Sequence, residues 1–164
     1  MRKVLMVLAV VILIFAAVLI YSVISEKQRP SDEVQIRELL VKGESALEHK
    51  TLRSAMSCVS KDYTDDASMT YDELRAELQT YFLQQGTYDI QLSNTSIRPI
   101  KSLAKVTADV SVSLVYGNQK DKLYSSPLDI VLIKEKARRW LVMPTKVWKV
   151  TSVAGMPQES EMME

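Results

Sequence analysis

The sequence has one cysteine, one histidine and four glycines in 164 residues. A single Cys58 excludes an intrachain disulfide and every metal site built from several thiolates. A single His49 excludes the paired-histidine zinc motifs, which need two imidazoles on one helix face. Gly43, Gly86, Gly117 and Gly155 lie far apart, so no glycine-rich loop cradles a phosphate. No Gly-x-Ser-x-Gly elbow presents a nucleophilic serine. An excess of charge of either sign is missing too. Lys and Arg number 21 against 20 Asp and Glu, and beyond residue 25 the count is 19 basic to 20 acidic. A near-neutral domain offers no broad basic surface, which argues against nucleic acid as a partner. What is present is hydrophobic content, 47% of the chain, enough for one domain of about 140 residues and a targeting segment.

Much of that content sits at the front. Arg2 and Lys3 precede an uninterrupted apolar run over residues 4–21, which Ser22, Val23 and Ile24 extend until Glu26 stops it. A helix over residues 4–24 would span about 31 Å, the thickness of a bilayer hydrocarbon core. A cleaved signal peptide has a shorter apolar region and a small-x-small site. Val23-Ile24-Ser25 matches that site poorly, with Ile and Tyr21 crowding it. Residues 1–25 therefore read as an uncleaved signal anchor, with the lipid bilayer as partner of residues 4–24. Cys58 lies too far downstream for a lipoprotein, and no Glu near the start of the run marks a pilin-type leader. Arg2 and Lys3 flank one side, while Glu26, Lys27, Arg29, Asp32 and Glu33 nearly cancel on the other. The positive-inside rule then places the chain once across a cytoplasmic membrane, N-terminus inside and domain outside, in a periplasm or beyond.

Residues 26–31 form a polar linker, and Pro30 discourages the membrane helix from running on. Ser31 suits an N-cap, with Asp32 and Glu33 at the positive end of a helix dipole. Val34, Ile36, Leu39, Leu40, Gly43, Ala46 and Leu47 recur at mostly helical spacing, which predicts a helix over about 32–48. Thr51 opens a shorter helix carrying Leu52, Ala55, Met56 and Val59, ending near Ser60. Residues 61–68 read as a loop. Thr70-Tyr71-Asp72-Glu73 is a capping-box pattern and starts a third helix with Leu74, Leu78, Tyr81 and Phe82, which runs to about Gln85 before Gly86. From there the period becomes two. Tyr88, Ile90 and Leu92 alternate with polar residues, Ile97 and Ile100 resume the pattern, and Pro99 implies a bulge, bend or edge. Over 104–116 the even positions are all apolar or aromatic and the odd ones polar except Val115: a long strand with one buried and one wet face. Gly117-Asn118 begins a turn. Strands return over 123–134 and 139–152, with a break expected at Pro144. Residues 153–164 leave the domain, and 156–164 read as an acidic, disordered tail. Helices run together and strands run together, which argues α+β with an antiparallel sheet of about four strands.

This order resembles the NTF2-like (cystatin-like, SnoaL-like) superfamily over residues 32–152. The local carriers are Ser60-Lys-Asp-Tyr63-Thr-Asp, Thr70-Tyr-Asp-Glu-Leu74, Tyr81-Phe82 and Lys134-Glu-x-x-x-x-Trp140-Leu-Val. The resemblance implies a cone in which a curved sheet wraps three helices and leaves a pocket at the wide end. Tyr63, Tyr81, Phe82, Tyr116 and Trp140 are the candidates to line that pocket, against the alternative that they pack in the core. Enzymes of the superfamily commonly hold Asp, His, Tyr or Arg inside the cone. Here His49 sits at a helix end, the inward face of the long strand is apolar, and Asp109 lies on the other face by parity.

Other groupings read as structural. Asp62, Asp65 and Asp66 lack the calcium-loop spacing. Cys58 beside Met56 and Val59 reads as a small buried hydrophobe. Arg98 and Asp129 are placed to face one another across strands. Asn94-Thr95-Ser96 fits the glycosylation pattern, which matters only in a eukaryotic secretory cell. Lys134, Lys136, Arg138 and Arg139 form a short basic cluster expected in a hairpin turn. No catalytic set, metal site or cofactor is expected. The sequence points to a non-enzymatic binding or protein-interaction module on the exported side of a membrane, with a homodimer through the sheet face or an envelope protein as partner. The alternative is an isomerase- or hydrolase-like enzyme on a small apolar substrate, which requires a carboxylate buried in the cone.

Overall fold

The computed structural model describes residues 30–139 and 143–155. The anchor expected over 1–25, Trp140 and the tail expected over 156–164 lie outside them. Among the described residues no helix is long and apolar enough to cross a membrane. The chain divides after Ser31 into two units, and the second holds every element below. Three helices, α1 (Asp32–Glu48), α2 (Leu52–Ser57) and α3 (Tyr71–Leu83), precede four strands, β1 (Thr87–Ile100), β2 (Leu103–Tyr116), β3 (Gln119–Arg139) and β4 (Met143–Ala154). The strands form one antiparallel sheet in the order β1-β2-β3-β4.

The alternation read in β2 sets the two faces. Ala104, Val106, Ala108, Val110 and Leu114 are buried, while Lys105, Thr107 and Asp109 are exposed. Ser113 is the exception. It is buried on the wet side, flanked in register by Asp89 and Lys122. Asp89 pairs with Lys120, a hydrogen-bonded contact that holds its carboxyl below the usual carboxylate range. Register carries the inner face onward, from Ala104 to Leu132 to Val150 and from Val106 to Ile130 to Val153. Ile36 of α1 presses on that face, and Ile36, Ala104, Val106, Ile130, Leu132 and Trp148 form the central cluster, with Leu39, Leu40 and Leu128 packed against it. A fully buried aliphatic side chain such as Leu or Ile contributes about 1.5–3 kcal/mol.

Both sheet edges have their own treatment. Beside β4 the chain after α2 runs as a short parallel lane: Val150 N–H donates to Cys58 O at 2.9 Å, Ser60 N–H to Val150 O at 2.7 Å, and Thr64 N–H to Thr151 O at 3.0 Å. That lane removes an open edge and buries Cys58 and Ser60. At the β1 edge Glu48 Oε1 accepts from Ile90 N–H at 3.2 Å. A register shift between Ser93 and Ser96 marks a bulge. Asn94 takes a left-handed φ of 50° there and donates from Nδ2 to Asp109 Oδ2 at 2.6 Å. Asn tolerates that conformation better than most residues. Pro99 lies beyond the bulge, opposite Ala104 on this edge strand, where a missing N–H costs no ladder bond if it faces outward.

Four expectations are corrected. Pro144 does not break the last strand: it pairs with Arg138 at the start of β4, a strand-terminal position where proline is tolerated. The basic cluster is not a turn. Lys134 is well inside β3, where its Nζ pairs with Asp32 Oδ1 at 2.6 Å and lies 5.0 Å over the Trp148 ring. This contact ties the first turn of α1 to the sheet. Third, α3 has the capping box expected of it, with Thr70 N–H donating to Glu73 Oε2 at 2.7 Å, yet it buries no residue. Those Thr70 bonds hold the exposed Glu73 carboxyl below its usual range. The second helix is also shorter than expected, Leu52–Ser57.

Candidate functional site

Three tyrosines gather where α3 leads into β1 and the β2–β3 hairpin turns. Tyr88 lies opposite Leu114 on the inner face, and Tyr116 is two residues further along β2. The Tyr88 hydroxyl donates to Gln84 Oε1 at 3.2 Å and toward Tyr81 O at 3.4 Å. Burial raises its pKa, and Tyr116 and Tyr81 nearby add to that. Lys50 Nζ sits 5.2 Å over the Tyr88 ring and donates to Gln84 O at 2.5 Å. The outer rim is apolar and open: Tyr81 is 41%, Tyr116 43% and Leu83 82% exposed. This patch can hold a planar or apolar group by stacking, with a cation at one side. It contains no acid–base pair.

The patch depends on one glycine. Gly86 has φ +94°, and a Cβ there would lie 2.7 Å from Tyr116 Cε1. Gly86→Ala is therefore expected to cost about 1–2 kcal/mol from backbone strain alone and to push the Tyr116 ring aside. Urea unfolding monitored by tyrosine fluorescence measures both. An unchanged midpoint and spectrum would show that the ring does not rest on this glycine.

The five predicted lining residues separate. Tyr81 and Tyr116 come together at the patch. Phe82 is half-buried on α3. Trp140 lies outside the described residues. Tyr63 is elsewhere, 3% exposed in the loop after α2, with its pKa raised by burial first and then by the charges of Asp65, Asp66 and Glu77. Sequence reasoning missed Tyr88 and Lys50 as site residues. Strand parity with Leu114 and Tyr116 was the signal available for Tyr88; nothing local marks Lys50.

Tyr63 has a buried acidic neighbour that in the sequence reads only as part of a structural loop. Asp65 is 7% exposed. Its Oδ1 accepts from Met69 N–H at 2.7 Å, closing the loop before α3, while Oδ2 is buried without a hydrogen-bond partner. Asp66 points the other way and accepts from Gly155 N–H at 3.0 Å, where Tyr124 also donates to Gly155 O at 2.8 Å. Among the described residues no three acidic, histidine or cysteine side chains could jointly hold a metal. His49 is exposed at the end of α1 with Nδ1 2.8 Å from Ser45 O.

The described surface includes a pair of hollows beside candidate residues. One, of about 350 Å³, lies between α1 and α2 and is lined by Lys42, Ser45, His49 and Ser54. The other, of about 210 Å³, lies on the wet face of the sheet and is lined by Ser96, Arg98, Lys105, Thr107, Asp129 and Val131. Arg98 and Asp129 line the same groove, but the expectation that they face one another is corrected: β2 lies between their strands, Arg98 is opposite Lys105 and Asp129 opposite Thr107, and among the described residues no ion pair within 4 Å joins them.

No family model and no curated protein matches the sequence. Solved structures do match the fold. A protein of unknown function from Mycobacterium tuberculosis aligns with TM-score 0.61 at 12% identity over 81% of each chain. The protein Aln2 from a Streptomyces species aligns with TM-score 0.63 at 7% identity, over 77% of this chain and 92% of that one. A cystatin-like protein of unknown function from Nostoc punctiforme gives 0.57 at 16% identity, over 75% and 88%. The fold is cystatin-like, NTF2-like α+β. At such identities the likeness carries no activity with it.

Proposed function

We propose that this chain is a non-enzymatic binding or protein-interaction module of NTF2-like fold, held on the exported side of a cytoplasmic membrane by residues 4–24. The observation that carries the reading is the contrast between the two sides of the sheet. The inner side is filled: Ile36 and Leu132 are 0% exposed and Ala104 and Val106 1%. The outer side is a broad lattice of Ser, Thr and charged residues with a groove in it. A sealed apolar interior suits a scaffold, and an open polar sheet face suits a second copy or an envelope protein. Affinity capture from detergent extracts, together with light scattering of the purified full-length chain, tests this. The expected results are a reproducible envelope partner or a homodimer, and a full-length chain that stays in the membrane fraction through carbonate washing. A monomer that captures nothing sinks the reading.

One observation favours the enzyme alternative. Asp65 and Tyr63 are the buried acid and phenol that a small-molecule isomerase or hydrolase would need. Under this reading a panel of small apolar esters and enolisable ketones is turned over by the wild type. Asp65→Asn and Tyr63→Phe then lose that turnover while keeping their far-UV spectrum. Turnover that both variants retain belongs to a contaminant.

A further inference from the structure

The basic residues of β3 lie on a ribbon that outruns the rest of the sheet. Leu103, the first residue of β2, pairs with Ile133, and Lys134 N–H donates to Ser102 O at 2.8 Å in the turn between β1 and β2. From Glu135 onward β3 pairs with β4 alone. On this ribbon Lys136 and Lys146 are direct cross-strand partners and both are exposed, although like charges so placed repel. Lys101, exposed in the β1–β2 turn with φ 56°, adds a third cation at the same end. Among the described residues none of the three joins an ion pair. The carboxylates beside them are engaged elsewhere, Asp32 by Lys134 and Glu135 by the Ser60 hydroxyl. Ile100 and Leu103 flank Lys101 as a cross-strand apolar pair, 63% and 49% exposed.

Unpaired cations around an exposed aliphatic pair suit a bilayer surface, where phosphates meet the lysines and aliphatic side chains enter the boundary between headgroups and acyl chains. The opposite end of the sheet is not alike. There Lys120 is paired with Asp89, and Asp121 stands between it and Lys122. The route of the chain selects the same end. Asp32, the first residue of α1, reaches Lys134 beside the β1–β2 turn. The eight steps from Ile24 to Asp32 span at most about 29 Å, too short a tether to hold this end far from a bilayer that residues 4–24 cross. We propose that Lys101, Lys136 and Lys146, with Ile100 and Leu103, form a docking surface for anionic lipid headgroups, which rests this end of the domain on its own membrane. The choice of a lipid surface over an acidic protein rests on the proposed anchor.

The full-length chain tests this after reconstitution into two kinds of vesicle, phosphatidylcholine alone and phosphatidylcholine mixed with phosphatidylglycerol. A membrane-impermeant acetylating reagent labels exposed lysines, and mass spectrometry reads the rate at each one. At low salt Lys101, Lys136 and Lys146 are expected to label roughly five-fold more slowly on the anionic vesicles, the effect of one cation held at an anionic surface. Lys122, at the opposite end, should label equally on both. High salt should remove the difference. In the Lys136→Glu/Lys146→Glu variant Lys101 should return to its phosphatidylcholine rate. Both substitutions are at exposed positions, so matching circular dichroism is expected and serves as the folding control. Equal rates on the two vesicles, slowing of Lys122 to the same degree, or slowing of Lys101 that survives in the variant overturns the surface. Carbonate washing separates the two readings. A chain that resists it but labels equally keeps the anchor and loses the surface; one that washes off yet shows the lipid-dependent slowing keeps the surface and loses the anchor.

Discussion

Leu132→Ala should lower the unfolding free energy by about 2–5 kcal/mol, a large fraction of the stability of a domain this size. Leu132 is 0% exposed and stands in β3 between Ala104 and Val150 in register, with Ile36 of α1 in the same cluster. Its neighbours are already small or β-branched and fixed by the sheet ladder, so they cannot collapse into the space a truncation leaves. The cost should fall toward the upper part of that range for this reason. Urea unfolding followed by circular dichroism measures it. A loss below about 1 kcal/mol would show that the helix–sheet contact is looser than drawn. Leu132→Met, which keeps volume, should cost less than about 1.5 kcal/mol.

Trp148 should divide into two effects. The side chain is 3% exposed in the central cluster, and Trp148→Ala should cost about 3–5 kcal/mol. Its indole Nε1, however, is buried without a hydrogen-bond partner. A donor in that state pays its desolvation with no return. Trp148→Phe keeps most of the ring contact and removes the unpaired donor, so it should cost far less than the alanine change, about 1–2 kcal/mol at most. Lys134 lies over the ring and pairs with Asp32, so the alanine variant should also loosen the first turn of α1. Hydrogen exchange at the start of α1 would report that separately from global unfolding. If the Phe and Ala variants lose the same stability, the indole N–H has a partner in solution and contributes to stability rather than costing it.

The elements themselves were legible. Helix α1 ends where its apolar stripe ends, the capping box at Thr70 and Glu73 starts α3, and the alternation over 104–116 is β2 within one residue at its start. These signals are local: side chains of neighbouring residues compete for the backbone or for one face. The site was only half legible. Tyr81 and Tyr116 were named, but Tyr88 and Lys50 join them through contacts that cross from the end of α1 to the sheet. Tyr63 was named for the pocket and went instead to the loop after α2, beside Asp65. Its burial depends on the lane that residues 58–64 form against β4, a pairing between segments far apart in the chain. The break expected at Pro144 failed for a related reason. Proline removes a donor, and whether that matters depends on where in the ladder the donor would have pointed.

By itself the sequence determined the class of the fold, the wet and dry faces of the sheet, and the exclusions that one cysteine, one histidine and scattered glycines impose, because all of these follow from short-range periodicity and from what residue types can do at all. Only the tertiary structure decided which tyrosines meet, that α3 buries nothing, that Asp65 keeps one oxygen buried and unpaired, and that Arg98 and Lys105 stand side by side. Those are facts of register and long-range packing, and register depends on pairing partners that no local stretch of sequence contains.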